Sequence, residues 1–286
     1  MTAATSAFVW LQYLIPQHGL SRLVLAATRV RVVWFKNLLI RGFLKLYAVN
    51  LDEASPGDAG QYATFNEFFT RALKPHCRPV AADPAIGSPV DGTVSECGLI
   101  DGDRLLQAKG RYYSLSELTA RQPWTERFEG GSFATIYLAP FNYHRIHMPL
   151  RGELLDTVYV PGRLFSVNGA TARAVPRLFA RNERIVMRFA TAAGDLALVM
   201  VGALNVGSMA TVWAGDITPA RRRLVTRLPS VRLALGKGAE LGRFNMGSTV
   251  ILLFEPKRAG WDERLGAGRR VQVGQAIGSF RQSPDT

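Results

Sequence analysis

The chain has 286 residues, of which 48% are apolar and 20% charged, and its 35 Lys and Arg against 22 Asp and Glu give a formal charge of +13. That length and apolar content support one large domain or two small ones with a sizeable core, and they exclude a disordered chain, a disulfide mini-protein and a repeat array. With 29 Arg to only 6 Lys, an anionic partner would meet mostly guanidinium groups; the two cysteines, Cys77 and Cys97, build no disulfide framework and fit a reducing, cytoplasm-facing location.

The first 50 residues contain no acidic residue and six basic ones, Arg22, Arg29, Arg31, Lys36, Arg41 and Lys45. No apolar run there reaches the roughly 18 residues of a membrane span, and the stretch from Ala7 to Pro16 lacks both the basic start and the small-residue cleavage site of a signal peptide. Val32, Phe35, Leu39, Phe43 and Leu46 recur at steps of three and four, which predicts a helix with these residues on one face and Arg31, Arg41 and Lys45 opposite. With Trp10, Trp34, Phe35 and Tyr47 as anchors, residues 1–50 read as amphipathic helices that lie in the headgroup layer of an anionic bilayer; the alternative is a helix packed on its own domain with a solvated basic face.

Residues 51–60, with Pro56, Gly57 and Gly60, read as a linker. Thr64-Phe-Asn-Glu67 has capping-box spacing and opens a helix to about Leu73. From Ile86 the texture becomes β: apolar runs at Thr135–Leu138, Leu154–Val160, Ile185–Ala190, Leu196–Val201, Met209–Trp213 and Thr249–Phe254 are separated by Gly, Pro and Asn. The basic segment Arg221–Lys237, which contains Pro229, reads as a loop. The expected class is therefore α+β: a mainly β, sandwich- or barrel-like core over residues 51–286, behind amino-terminal amphipathic helices.

Three places carry residues fit for chemistry. His144 and His147 stand three apart in a loop between Pro140 and Pro149; no carboxylate or thiol completes a metal site, so proton transfer is the better reading. Pro89-Val-Asp91-Gly is first of all a turn. Gly247-Ser248 immediately precedes a strand. Asp, His and Ser together are what a nucleophile, its base and an orienting carboxylate require, although the Gly-x-Ser-x-Gly elbow of a conventional hydrolase is absent.

Val90-Asp-Gly92, Tyr143-His-Arg-Ile-His-Met-Pro149, Val160-Pro-Gly-Arg-Leu-Phe-Ser-Val-Asn168, Phe179-Ala-Arg-Asn-Glu-Arg184, Val212-Trp-Ala-Gly215 and Gly242-Arg-Phe-Asn-Met-Gly-Ser-Thr249, in that order, resemble the bacterial, pyruvoyl-dependent phosphatidylserine decarboxylase proenzymes over nearly the whole chain. Met246 stands where that family usually has Leu, a change that keeps volume and apolarity. The resemblance implies that His147, oriented by Asp91, activates Ser248 to attack the carbonyl of Gly247. The chain then splits into a β chain (1–247) and an α chain (248–286) that stay associated, and Ser248 becomes the covalent pyruvoyl cofactor that forms a Schiff base with the substrate. It further implies decarboxylation of phosphatidylserine to phosphatidylethanolamine by a peripheral enzyme on the cytoplasmic side of the cell membrane. His144 then assists decarboxylation or protonation, a role that Tyr143 rivals. No metal and no nucleic acid are expected. A noncatalytic lipoyl-carrier-like module, suggested by the turns at 89–94 and 273–277, lacks an acceptor residue at its turn, and a nucleic-acid binder lacks a reading motif.

Overall fold

In the computed structural model, which describes residues 3–204, 208–218, 224–245 and 248–281, the acid-free amino terminus folds as α1 (Ala3–Leu14), α2 (Gln17–Thr28) and α3 (Val33–Leu46). Pro16, which has no N–H to extend α1, stands at the N-cap of α2. The polarity of these helices is inverted. Gln12, Gln17, Ser21 and Thr28 are buried, whereas Trp10 is 71% exposed, Leu14 82% and Leu23 67%. The buried amides serve the loop between the strands Gly152–Val160 and Arg184–Thr191: Gln12 Oε1 accepts from Ser166 N at 2.7 Å, and Gln17 Oε1 accepts from Leu164 N at 2.9 Å. Gln17 Nε2 also donates to Gln12 O at 2.7 Å, locking the two helices together.

α3 forms where the periodicity predicts it, but its buried face is turned by one residue. Lys36 and Ile40 lie at its centre, Leu39 and Phe43 flank them, and Val32 and Leu46 are exposed. The reason is a short helix, α4 (Phe65–Phe69), whose Phe65, Phe68 and Phe69 form with Tyr62 and Ile40 an aromatic cluster of their own, while Lys36 Nζ donates to Gly60 O at 2.8 Å. The capping box is present: Thr64 Oγ1 accepts from Glu67 N at 3.0 Å, and Glu67 Oε2 accepts from Ala63 N at 3.0 Å. α4 ends four residues earlier than expected because Ala72–Leu73 pairs as a strand with Ala54–Ser55, so the expected linker is partly ordered.

The body is α+β and mainly β, as expected. One antiparallel sheet runs in the order Thr226–Arg227, Gly152–Val160, Arg184–Thr191, Gly194–Val201, Thr249–Phe254, Ser132–Tyr137, Gly92–Leu99, Arg270–Val271. The predicted runs supply its centre; Met209–Thr211 is shorter than expected because a turn at 212–214 brings Gly215–Asp216 back against it. The sheet ends in two-residue strands that do not pair with each other, so the barrel-like alternative gives way to an open sheet. A four-stranded sheet, Gly215–Asp216, Met209–Thr211, Glu240–Phe244 and Arg145–His147, carries the histidines. The basic loop stands, with two short strands in its described part; Arg221–Arg223 lie outside the described residues.

Replacing Gln17 with Leu leaves Leu164 N buried without an acceptor, a loss of about 1–3 kcal/mol. We expect faster limited proteolysis between α1 and α2, with the body's melting transition little changed; proteolysis at the parental rate would show that the amide does not hold the helices.

Candidate active site

Asp91 lies in the predicted turn, and Gly92 opens the strand that pairs with Ser132–Tyr137. A side chain at Gly92 would meet Tyr137 O at 2.5 Å, so the close approach of these strands requires glycine there. The buried Asp91 carboxylate takes Arg78 Nε at 3.0 Å and Arg78 Nη2 at 2.6 Å, and its Oδ1 accepts from Val273 N at 2.8 Å. Arg78 Nη2 also reaches Glu53 Oε2 at 2.8 Å. Burial opposes the guanidinium's charge, but bonds to Asp91 and Glu53 outweigh it and hold its pKa above the ordinary range.

His147 N donates to Pro89 O at 2.8 Å, which sets the histidine strand beside the Asp91 turn. The imidazole makes no hydrogen bond to Asp91. Its Nδ1 lies 2.7 Å from Gly238 O and its Nε2 3.0 Å from the Tyr143 hydroxyl. A carbonyl can only accept, so Nδ1 carries the proton and Nε2 is the basic nitrogen, receiving the Tyr143 O–H. Orientation thus comes from Gly238, while Asp91 acts on the ring as a nearby negative charge. Burial nevertheless lowers the His147 pKa, and burial pushes that of Tyr143 up to about 12.

His144 is completely buried and stacked on Phe69, ring centroids 4.1 Å apart. Its Nε2 lies 3.2 Å from Pro140 O, so Nε2 carries the proton and Nδ1 is a buried acceptor without a donor. Desolvation lowers its pKa to about 3. Ser248 is also completely buried, and its Oγ has no hydrogen-bond partner among the described residues. Two backbone bonds bring both residues to one corner: Leu138 N donates to Ser248 O at 2.8 Å, and Phe244 N donates to His144 O at 3.0 Å. Ser208 and Thr249, on the neighbouring backbone, have buried hydroxyls that are likewise unpartnered. Gly247 and Met246 lie outside the described residues.

Arg78 and Tyr143 stand between two cavities. One, of about 530 Å³, is lined by Asp91, Arg71, Asn50 and Gln272; the other, of about 260 Å³, by His147, Arg145, Glu240 and Gly238. Among the described residues no three His, Cys, Asp or Glu side chains converge as a metal site would need. Sequence reasoning missed Arg78, Glu53, Arg71 and the Gly238 carbonyl. Pro79 and Pro75 around Arg78 mark a loop but give no hint that it crosses to Asp91.

Removing the Arg78 charge leaves Asp91 buried and unpaired, a cost of about 3–5 kcal/mol. Arg78→Leu should unfold at markedly lower urea, and Asp91→Asn added to it should recover part of the loss; additive losses in this double-mutant cycle would show the pair to be uncoupled. A second prediction follows from His144. Its neutral buried ring takes a proton only on unfolding, so the unfolded state binds more protons between pH 6.5 and about 3, and stability falls as pH drops through that window. His144→Gln should flatten this acid limb in urea titrations; an unchanged slope would remove His144 as its source.

Residues 65–279 match the family model described as phosphatidylserine decarboxylase, and residues 7–48 match a second model described as PSD. The chain is 51% identical over 278 residues to the phosphatidylserine decarboxylase proenzyme of Methylococcus capsulatus, covering 96% of both chains. It is 51% identical over 282 residues to that of Pseudomonas putida KT2440, covering 96% of this chain and 98% of the relative, and 51% identical over 280 residues to that of Ectopseudomonas mendocina, covering 95% and 97%. A match of this extent and identity makes the chain a member of the phosphatidylserine decarboxylase family.

Proposed function

We propose that this chain cuts itself before Ser248 and then converts phosphatidylserine to phosphatidylethanolamine at a bilayer surface. Beyond family membership, the observation that carries the reading is Ser248 Oγ, buried without a hydrogen-bond partner among the described residues at the head of a central strand. A buried hydroxyl with nothing to bond is costly, and it persists where the group is reserved for chemistry. Ser208, whose carbonyl accepts from Asn245 N on the segment leading to Ser248, has a buried hydroxyl without a partner among the described residues that would be available to a carbonyl oxygen, so the residues present fit a pyruvoyl group.

In the cut, Ser248 Oγ attacks the Gly247 carbonyl and His147 Nε2, the basic nitrogen, receives its proton. Gly238 keeps that nitrogen unprotonated, and Tyr143 holds it until the serine is presented. Glu240 and, more weakly, Asp91 supply negative charge that favours the imidazolium. Once formed, the pyruvoyl group supplies a carbonyl electron sink for loss of carbon dioxide. His144 stores no extra proton at neutral pH, so it returns one to the substrate carbon only after taking one up at Nδ1; Tyr143, with its high pKa, keeps its proton throughout. A second reading has a specific observation behind it: the free Nδ1 of His144 and the free Oγ–H of Ser248 are an acceptor and a donor in one corner, which favours His144 as the base of the cut.

The inverted amino-terminal helices support contact with a membrane. Trp10, Leu14, Leu23, Trp34 and Leu38 are exposed together with Arg22, Arg31, Arg41 and Lys45, a surface suited to an anionic headgroup layer on the cytoplasmic side. Among the described residues no helix is long and apolar enough to cross a membrane. The α chain, 248–286, stays with the β chain, 1–247, because Thr249–Phe254 pairs with strands on both sides.

Ser248→Ala should run as one band on a denaturing gel, and two bands would remove Ser248 from its role. His144→Gln should cut normally yet decarboxylate slowly and His147→Gln should stay uncut; the reverse pattern establishes the second reading. Replacing Trp10, Leu14 and Trp34 with Ser together should leave the cut intact and lower turnover on anionic vesicles by about tenfold or more, with short-chain dispersed substrate spared; undiminished vesicle turnover would refute the membrane surface.

A further inference from the structure

Arg71 follows α4 and carries a buried charge whose structural partners do not account for it. It is 4% exposed; its guanidinium carbon lies 5.8 Å from the centre of the Phe68 ring, Nη2 donates to Phe141 O at 3.3 Å, and Nε and Nη1 are buried with no hydrogen-bond partner among the described residues. Among the described residues no carboxylate comes within ion-pair distance of it, because the nearby Glu53 and Asp91 are both engaged by Arg78. Burying a cation without an anion costs several kcal/mol, so a fold that retains one has an anion to receive. Arg71 is part of the lining of the 530 Å³ cavity, whose other lining includes the neutral donors Asn50, Asn142, Gln272 and Gln275. Phe69, two residues before Arg71, stacks on His144 with ring centroids 4.1 Å apart, and burial lowers the Arg71 pKa.

We propose that Arg71 is the grip for the phosphodiester of the lipid headgroup, its guanidinium donating to two of the phosphodiester oxygens. The site needs only an oxyanion; that the oxyanion is a headgroup phosphodiester rests on the decarboxylase reading. The substrate carries two anions, and energetics select between them. Its carboxylate loses its charge in the transition state, so a cation gripping it would stabilise the ground state and slow the reaction. The phosphodiester is unchanged from substrate to product, and gripping it binds every state alike.

The test separates this site from the chemistry. On the Ser248→Ala background, which makes no cofactor, glycerophosphoethanolamine is titrated by NMR against the parent, Arg71→Met and Arg71→Lys, with L-serine as the carboxylate probe and melting temperatures as the check on folding. Glycerophosphoethanolamine affinity should fall about tenfold or more in Arg71→Met and less in Arg71→Lys, and serine should be unaffected. In the cut enzyme, Arg71→Lys should raise KM for detergent-dispersed phosphatidylserine with kcat within about twofold. Equal glycerophosphoethanolamine affinity in parent and folded variants, a loss confined to serine, or a fall in kcat at constant KM overturns the proposal. Arg71-dependent phosphodiester binding in a chain that never decarboxylates would overturn the functional reading and leave this site standing.

Discussion

The arrangement of the site depends on the burial of one carboxylate. Asp91 cannot stay charged inside the protein without donors, and those it has come from distant parts of the chain: the guanidinium of Arg78, itself tied to Glu53, and the backbone N–H of Val273. The cluster therefore joins the hairpin formed by 54–55 and 72–73, the turn at 89–92 and the carboxy-terminal segment. The histidine strand and both cavities are placed relative to it. His147 hydrogen-bonds to the same turn through Pro89, and the two cavities meet at Arg78. Arg78 neutralises Asp91 and Glu53 and, by occupying them, leaves Arg71 without a carboxylate partner among the described residues.

The amino-terminal helices follow an opposite logic to the core. In α1 and α2, Gln12 and Gln17 face inward and supply hydrogen bonds that the loop at 162–166 lacks, whereas Trp10, Leu14 and Leu23 face outward. Such an inversion is unfavourable in water alone and favourable against an apolar or interfacial phase. Docking of α3 on α4 through Ile40, Phe65, Phe68 and Phe69 connects this surface to the site, since Phe69 stacks on His144 and Arg71 follows two residues later.

Legibility in the sequence tracked how local the physical cause is. The central strands were readable because unbroken apolar runs such as Thr249–Phe254 have one way of being buried on both faces, and the Thr64 cap was readable because donor and acceptor are three residues apart. The face of α3 was not, because Trp34 and Leu38 are apolar and yet point outward, so periodicity alone could not tell which side meets protein. Asp91, His144, His147 and Ser248 stood out as residue types, but their partners did not. Gly238 contributes a backbone carbonyl 91 positions from His147, and an arginine such as Arg78 carries no distinctive spacing in a chain with 29 of them.

Thr249–Phe254 lies in the middle of the sheet, between Gly194–Val201 and Ser132–Tyr137. In the proposed cut before Ser248, that strand would become the start of a separate polypeptide threaded through the larger one, and unfolding would release two molecules instead of one. Reassembly is then second order in concentration, with an added entropic cost that the uncut precursor never meets. The precursor has to complete its fold before it matures, and a matured molecule that loses its fold in dilute solution has no unimolecular way back.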